Sequence, residues 1–161
     1  YDAVLRHGPI ADSHSVAWAL APSRRVLVAA PDYLARHGTP GSMTELDAHA
    51  GIFYTNRGVG DWRFHGQQGM TSVRGRPALR VNNGDMMRDA ALEGLGIALL
   101  PLFIASAEIG SGRLQIVEIG VQPETEFIHL AHPDGRRPSA KLRALADCLR
   151  NAFGDPPYWE R

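Results

Sequence analysis

The chain has 161 residues, enough for one ordinary domain with its own hydrophobic core. Its 17 lysines and arginines are balanced by 17 aspartates and glutamates, whereas a domain that binds duplex DNA by itself carries a basic excess. The single cysteine excludes an internal disulfide and fits a reducing compartment. No run of apolar residues approaches the roughly 18 that a membrane-spanning helix needs.

The first half of the chain predicts short strands and helices in alternation. Pro31 stands where a helix can begin without an amide donor, and Gly38 follows the expected helix end. Ser42 and Glu45 have the spacing of a capping box. The predicted elements are strands at Asp2 to Arg6 and Arg25 to Ala30, helices at Pro31 to His37 and Ser42 to Ala48, a strand at Gly51 to Tyr54, and a hairpin of Trp62 to His65 with Met70 to Arg74.

A polar turn near the middle of the chain precedes a helix and a buried strand. Asn82 or Asn83 can cap that helix, and Asp85 lies in its first turn, where negative charge suits the helix dipole. Gly94 is expected to end the helix. Gly96 to Leu100 is apolar on both faces, as a strand covered by helices must be.

The last third of the chain extends this alternation, which predicts an α/β sheet. Further elements are expected at Ala78 to Val81 (strand), Asn83 to Glu93 and Pro101 to Ile109 (helices), Leu114 to Val117 and Glu126 to Ala131 (strands), and Ser139 to Phe153 (helix). One apolar stripe predicts the buried face of the final helix: Leu142, Leu145, Leu149 and Phe153. Cys148 has mainly apolar or small neighbours on that helix and is predicted to be a core cysteine. Tyr158 and Trp159 are expected to pack on the domain.

Several segments resemble one protein family. The stretch from Val81 to Pro101 is similar to the V-N-x-G-D…A-x-x-G-x-G-I-A-L-L-P segment of LysR-type transcriptional regulators. Tyr1 to Gly8 resembles the D-x-A-I-R-x-G strand of their effector-binding domain, and Asp12 to Leu34 resembles its crossover and following helix. Ser139 to Leu145 resembles the S-A-K-V-R-A-F opening of the last helix, and Pro156 to Trp159 is a tail common in one branch. The order and spacing of these segments identify the chain as a member of the family.

The resemblance implies a type II periplasmic-binding-protein-like fold, with two α/β lobes and a ligand cleft between them. Residues 1–17 would belong to the first lobe, 18–122 to the second, and 123–161 to a return to the first lobe with the C-terminal helix and tail. The chain starts on a predicted strand with no partner before it, so a fragment with an incomplete first lobe is expected. A winged helix-turn-helix would precede it.

The implied function is that of a cytoplasmic effector-sensing domain. A small molecule would bind between the lobes and modulate DNA binding by the N-terminal domain of a homo-oligomeric regulator. Neither a membrane partner nor a cofactor is expected. Two other classes stay open: a solute-binding protein of a transport system with the same fold, and a small-molecule enzyme. The sequence upstream of the chain would distinguish a solute-binding protein from a regulator, and a turnover screen would identify an enzyme.

Three polar segments follow predicted strands, at positions where open α/β sheets bind ligands. The expected effector-binding residues are Arg6 and His7; Tyr54, Thr55 and Asn56; and Asn82 and Asn83. Arginine can hold an anion bidentately, and a helix N-terminus favours negative charge, so a small carboxylate or similar anion is the expected effector. Each segment also has a plainer explanation, namely an exposed arginine beside a loop histidine, turn chemistry, or helix capping.

Patterns for catalysis and for metal or nucleotide binding are weak. His129 and His132 are three residues apart, but on a strand and its following turn, which is poor spacing for zinc. Adjacent residues such as Ser13 and His14 rarely form a nucleophile–base pair, and no G-x-S-x-G elbow occurs. Glycine pairs such as Gly58 and Gly60 are too short for a dinucleotide fingerprint. An enzyme is therefore not expected.

Overall fold

The computed structural model describes residues 2–8, 15–56, 62–66, 69–133 and 139–161. Ser13 and His14 lie outside these ranges, as do Gly58 and Gly60. The chain divides into two compact units. Unit 1 comprises Tyr1–Arg24 and Thr125–Arg161, and unit 2 comprises Arg25–Glu124.

Strands and helices alternate along the chain. In order they are β1 (Val4–His7), β2 (Ser15–Ser23), β3 (Arg25–Ala29), α1 (Pro31–His37), α2 (Met43–Asp47), β4 (Ala50–Tyr54), β5 (Arg63–Gly66), β6 (Gly69–Ser72), β7 (Arg76–Val81), α3 (Gly84–Leu92), β8 (Ile97–Pro101), α4 (Leu102–Gly110), β9 (Gln115–Ile116), β10 (Gln122–Pro123), β11 (Glu126–Pro133), α5 (Ala140–Phe153) and a 3-10 turn at Tyr158–Glu160. The predicted α/β class is confirmed.

Unit 1 contains a three-stranded antiparallel sheet in the order β1-β11-β2. The sequence predicted no strand at β2, which forms because it pairs with β11 from Ser15, opposite Pro133, to Ser23, opposite Glu126. Residues 18–24 therefore group with unit 1, whereas the sequence placed them in the second lobe. α5 packs against β2.

Unit 2 contains a five-stranded sheet in the order β7-β4-β8-β3-β9. β4 runs parallel to β7 and β8, and β3 runs antiparallel to β8 and β9. α3 and α4 pack against β8. The small sheet β10-β5-β6 contributes Phe64, which joins Leu27, Phe53, Trp62 and Leu99 in one buried cluster.

Helix ends in unit 2 follow the sequence signals closely. The Ser42 hydroxyl accepts a hydrogen bond from the Glu45 amide, which confirms the predicted cap. Gly94 follows α3 with φ at 72°, a left-handed conformation that L side chains adopt only with strain. Pro101 was expected to begin α4, but it is the last residue of β8 and the N-cap, with ψ at 136°. The proline still lacks an amide donor at a place where none is needed.

The final helix is less buried than the sequence predicted. Leu145 is 44% exposed and Cys148 is an exposed free thiol, so both burial predictions are wrong. At about 100° per residue, Ala146 rather than Leu145 lies in line with Leu142 and Leu149, and Ala146 is the residue that is buried. Cys148 is rotated still further from that line.

The prediction that Tyr158 and Trp159 pack on the domain is confirmed for Trp159 and wrong for Tyr158. Trp159 is 3% exposed and packs edge-on against Phe153, whereas Tyr158 is 60% exposed. Across the described ranges, no helix is long and apolar enough to cross a membrane.

Candidate functional site

The carboxyl ends of three parallel strands meet at one edge of the unit 2 sheet. Tyr54 at the end of β4 pairs with Val81 at the end of β7, and β8 ends on the other side of β4. The chain leaves β4 for β7 on one side and later reaches β8 on the opposite side. Such a reversal of strand order opens a crevice where α/β proteins bind ligands. We call this edge the switch edge.

Two of the three predicted segments lie at the switch edge. Thr55 and Asn56 directly follow β4, and Asn82 and Asn83 directly follow β7; all four residues are exposed. Tyr54, the last residue of β4, is half-buried. The parallel pairing of β4 and β7 brings these residues, distant in sequence, to neighbouring strand ends. Arg57 lies outside the described residues.

Asn83 is the cap of α3, which resolves the choice that the sequence left between Asn82 and Asn83. Its Oδ1 accepts hydrogen bonds from the amides of Asp85, at 2.8 Å, and Met86, at 3.1 Å. Only the amide nitrogen of that side chain is left for a ligand by these two bonds. Since two N-terminal amides of α3 are already satisfied and Asp85 adds negative charge, this helix start is poorly suited to an anion.

Asp85 and Asp89 form ion pairs with Arg88 on α3. Arg88 Nη1 lies 3.0 Å from Asp85 Oδ1, and Nη2 lies 2.8 Å from Asp89 Oδ1. The hydrogen bond to Asp89 is the main reason that the pKa of Arg88 is raised. Because Arg88 is engaged by its own helix, it is not positioned as a dedicated ligand for an effector.

Arg25 is a residue of the switch edge that the sequence reasoning missed. It begins β3, pairs with Pro101 at the end of β8, and is only 4% exposed. Its Nη2 donates a hydrogen bond to the Leu99 carbonyl oxygen at 3.2 Å. The sequence shows only that an arginine begins an otherwise apolar strand; its place at the carboxyl end of β8 depends on the antiparallel pairing with Pro101.

The third predicted segment lies in unit 1, and its two residues diverge. Arg6 and His7 are consecutive in β1, so their side chains point to opposite faces of the sheet. Arg6 is exposed and pairs with His129. His7 Nε2 lies 2.9 Å from Ser23 Oγ and 3.3 Å from Glu126 Oε2. Arg6 and His7 therefore lie on opposite faces of the sheet, so a ligand bound on one face meets only one of them.

The group of His7, Ser23 and Glu126 contains the residue types of a hydrolytic triad but not its geometry. Serine and carboxylate both approach the same nitrogen, whereas a triad histidine uses one ring nitrogen for each. Ser23 is also fully buried, so a substrate has no access to its hydroxyl. Among the described residues, no three histidine, cysteine, aspartate or glutamate side chains are grouped as metal ligands.

Tyr33 and His49 form a contact at the opposite edge of the unit 2 sheet, where β4 begins. The Tyr33 hydroxyl is 3.1 Å from His49 Nδ1 and accepts a hydrogen bond from the Ala50 amide at 3.1 Å. Burial raises the pKa of Tyr33 and lowers the pKa of His49. The charges of His37 and Arg76 lower the pKa of His49 further, while Glu45 opposes them. This contact ties α1 to β4.

An α/β unit with a polar switch edge, joined by two chain crossings to a second unit, is the architecture of a ligand-binding regulatory domain. Residues 1–154 match the family of LysR substrate binding domains, and the chain belongs to that family. The family prediction is thereby confirmed.

Relatives and solved structures agree with this assignment. The chain is 30% identical to the HTH-type transcriptional regulator CrgA of Neisseria meningitidis over 156 residues, 96% of this chain and 52% of the relative. It is 29% identical to DmlR of Escherichia coli over 157 residues, 96% of this chain and 50% of the relative. The chain thus spans about half the length of the curated relatives that it matches.

The fold is shared with solved regulatory domains of the same family. The structure of the CrgA regulatory domain matches with a TM-score of 0.80 and 30% identity, over 95% of this chain and 76% of that one. Full-length AphB of Vibrio cholerae matches with a TM-score of 0.76 and 25% identity, over 94% of this chain and 52% of that one. The expected periplasmic-binding-protein-like fold is confirmed.

Proposed function

We propose that the chain is the effector-sensing domain of a LysR-type transcriptional regulator. The observation that carries the proposal is the family match over residues 1–154, to which the polar switch edge of unit 2 adds a place for a ligand. In the full-length protein, a small molecule binds this domain and modulates DNA binding by an N-terminal helix-turn-helix domain. The regulator is a cytoplasmic homo-oligomer, and the domain performs no chemistry.

The proposed effector site uses the side chains at the switch edge. Thr55, Asn56 and Asn82 supply hydroxyl and amide groups that are open to a ligand, and Asn83 supplies its amide nitrogen. Their mixture of donors and acceptors suits a small polar molecule. Arg6, in unit 1, remains a proposed source of positive charge for a carboxylate.

The effector acts by differential affinity. A ligand shifts an equilibrium between two arrangements of a protein only as far as it binds one of them more tightly. Regulation therefore requires that the groups at the switch edge meet the ligand differently in the two arrangements. The coupling free energy between effector and operator is then typically about 1–3 kcal/mol.

A thermal-shift screen of small carboxylates and uncharged polar analogues tests the proposal. A true effector at about 100 times its Kd should stabilise the domain by roughly 2.7 kcal/mol. Calorimetry then compares the unchanged chain with Thr55→Ala, which should weaken binding by about 1 kcal/mol by removing one hydrogen bond. Thr71→Ala, an exposed threonine on the β5–β6 hairpin of the same unit, is the matched control.

The comparison separates the alternatives. Equal affinity in Thr55→Ala, in Asn82→Ala and in the control would rule out the switch edge as the effector site. Turnover of a stabilising compound would instead favour an enzyme. An operator titration of the full-length protein in which a bound compound leaves DNA affinity unchanged would contradict the proposed modulation of DNA binding, and absence of operator binding would favour a solute-binding protein.

A further inference from the structure

His7 joins the ends of two strands that lead out of unit 1. Ser23 is the last residue of β2, just before the chain passes into unit 2 after Arg24. Glu126 is the first residue of β11, just after the chain returns from unit 2 at Thr125. His7, at the end of β1, contacts both. We call the two places where the chain passes between the units, at residues 24–25 and 124–125, the crossings. His7 therefore contacts the strand end next to each crossing.

The register of the sheet explains why the three side chains meet. Ser23 pairs with Glu126, and His7 pairs with Ile128, two residues further along β11. Paired residues, and residues two apart on a strand, point to the same face. The three side chains consequently share one face at one end of the sheet. Gly8 closes that end through a hydrogen bond from its amide to the Phe127 carbonyl oxygen at 3.1 Å.

The contacts are buried, and they depend on the protonation of His7 Nε2. The side chain of Glu126 is 3% exposed, that of His7 is 21% exposed, and Ser23 is fully buried. A carboxylate oxygen only accepts hydrogen bonds, so Nε2 must carry a hydrogen for its 3.3 Å approach to Glu126 to be attractive. The Ser23 hydroxyl lies at hydrogen-bond distance from the same nitrogen.

We propose that His7 is a positioning residue that holds the two chain crossings together and so sets the direction in which both leave unit 1. This inference deepens the proposed function and rests on it, because the proposed function requires two arrangements of the domain. His7 was predicted to contact the effector; here it acts through Ser23 and Glu126. Its role requires no bound ligand, so it is tested without an effector.

The exposed thiol of Cys148 provides a natural position for a spin label on unit 1. A second label at Ala107→Cys, exposed on α4, reports on unit 2. Pulsed electron paramagnetic resonance then measures the distribution of distances between the labels. His7→Leu should broaden the distribution, and His7→Gln, whose amide can donate from a similar position, should restore its width.

Hydrogen exchange provides the second readout. In His7→Leu, amides at residues 23–26 and 124–127 should exchange roughly tenfold faster, because the polar contacts that join the two strand ends are lost. Amides of Ile97 to Leu100 should be unchanged. His129→Leu is the matched control, because His129 lies on the adjacent strand and its register partner is Arg6 rather than His7.

An unchanged distance distribution in His7→Leu, or equal broadening in His129→Leu, would overturn the proposal. Failure of His7→Gln to restore the width would do the same, since it would reduce His7 to a packing residue. If His7→Leu does not fold, Ser23→Ala removes one partner at little change in volume and must itself broaden the distribution. A missing effector response together with a confirmed broadening would contradict only the proposed function.

Discussion

The two units cover their strands to very different degrees. In unit 2 every residue of β3 is buried, and four of the five residues of β8 are buried as well. In unit 1, β1 has three exposed residues and one half-buried residue. The difference follows from the layers around each sheet: β8 lies between neighbouring strands and is packed by α3 and α4, whereas among the described residues β1 pairs on one side only, with β11. Apolar side chains alone do not make a strand buried; covering elements do.

The exposed apolar side chains of unit 1 make the same point. Leu5 is 53% exposed, Phe127 is 42% exposed, and Leu145 is 44% exposed. Unit 2 has its own exceptions, namely Met86 on α3, Leu95 in the following turn and Met70 on β6, but all three lie outside its five-stranded sheet. Unit 2 is thus expected to supply more stability per apolar residue of its sheet than unit 1.

The largest effect should come from truncating a buried leucine of unit 2. Leu99→Ala in β8, where the side chain is 1% exposed, should lower the free energy of unfolding by about 2–5 kcal/mol, through lost burial and a cavity. Leu145→Ala on α5 should cost less than about 1 kcal/mol. Urea titrations of both variants measure the difference, and similar losses would contradict the contrast between the units.

A smaller loss is expected from adding one methyl group inside the unit 2 sheet. A Cβ at Gly96 would overlap the Ala50 carbonyl oxygen, a backbone atom that cannot move aside cheaply. Gly96→Ala should therefore destabilise by about 1–3 kcal/mol. Gly110→Ala, at the end of α4, has open space around its Cβ and should be neutral or slightly stabilising. Thermal unfolding measures both, and equal effects would mean that β8 is loosely packed.

The smallest effect concerns acid stability at the Tyr33–His49 contact. The folded-state pKa of His49 lies below its ordinary value of 6.5, mainly because of burial, so protons bind more readily to the unfolded chain. Stability contributed by neutral His49 is therefore present above about pH 6.5 and is lost as the pH falls through the lower, folded-state pKa.

His49→Gln provides the comparison, because glutamine keeps an acceptor for the Tyr33 hydroxyl and does not titrate. Between about pH 7.5 and pH 5, the urea midpoint of the unchanged chain should fall further than that of His49→Gln. His65→Gln, on the exposed hairpin strand β5, controls for histidine titration in general. Parallel pH profiles for the chain and His49→Gln would show that the contact carries no proton linkage.

Local signals in the sequence predicted most of unit 2. The helix at Pro31 to His37, the Ser42 cap and the glycine after α3 depend on neighbouring residues alone, and these predictions agree with the structure. The pairing of Tyr54 with Val81 was also accessible in outline, because parallel strands must end at one edge.

The features that the sequence did not predict depend mainly on contacts between segments that are distant in the chain. Arg25 is buried because antiparallel pairing sets it against Pro101, and no pattern near Arg25 records that partner. The contacts of His7 depend on the register of β1 and β2 against β11, where a shift of one residue would turn the side chain to the other face. On α5, the predicted apolar stripe included Leu145, whereas the buried residue at that level of the helix is Ala146.

The position of the switch edge has a consequence for engineering. Thr55, Asn56 and Asn82 are exposed and stand beyond the ends of their strands, separate from the cluster around Leu99 and Phe53. Substitutions at this proposed effector site change polar groups without removing a methyl group from the core. If the proposal holds, libraries confined to these turn positions should yield biosensors for new ligands while the scaffold keeps its stability.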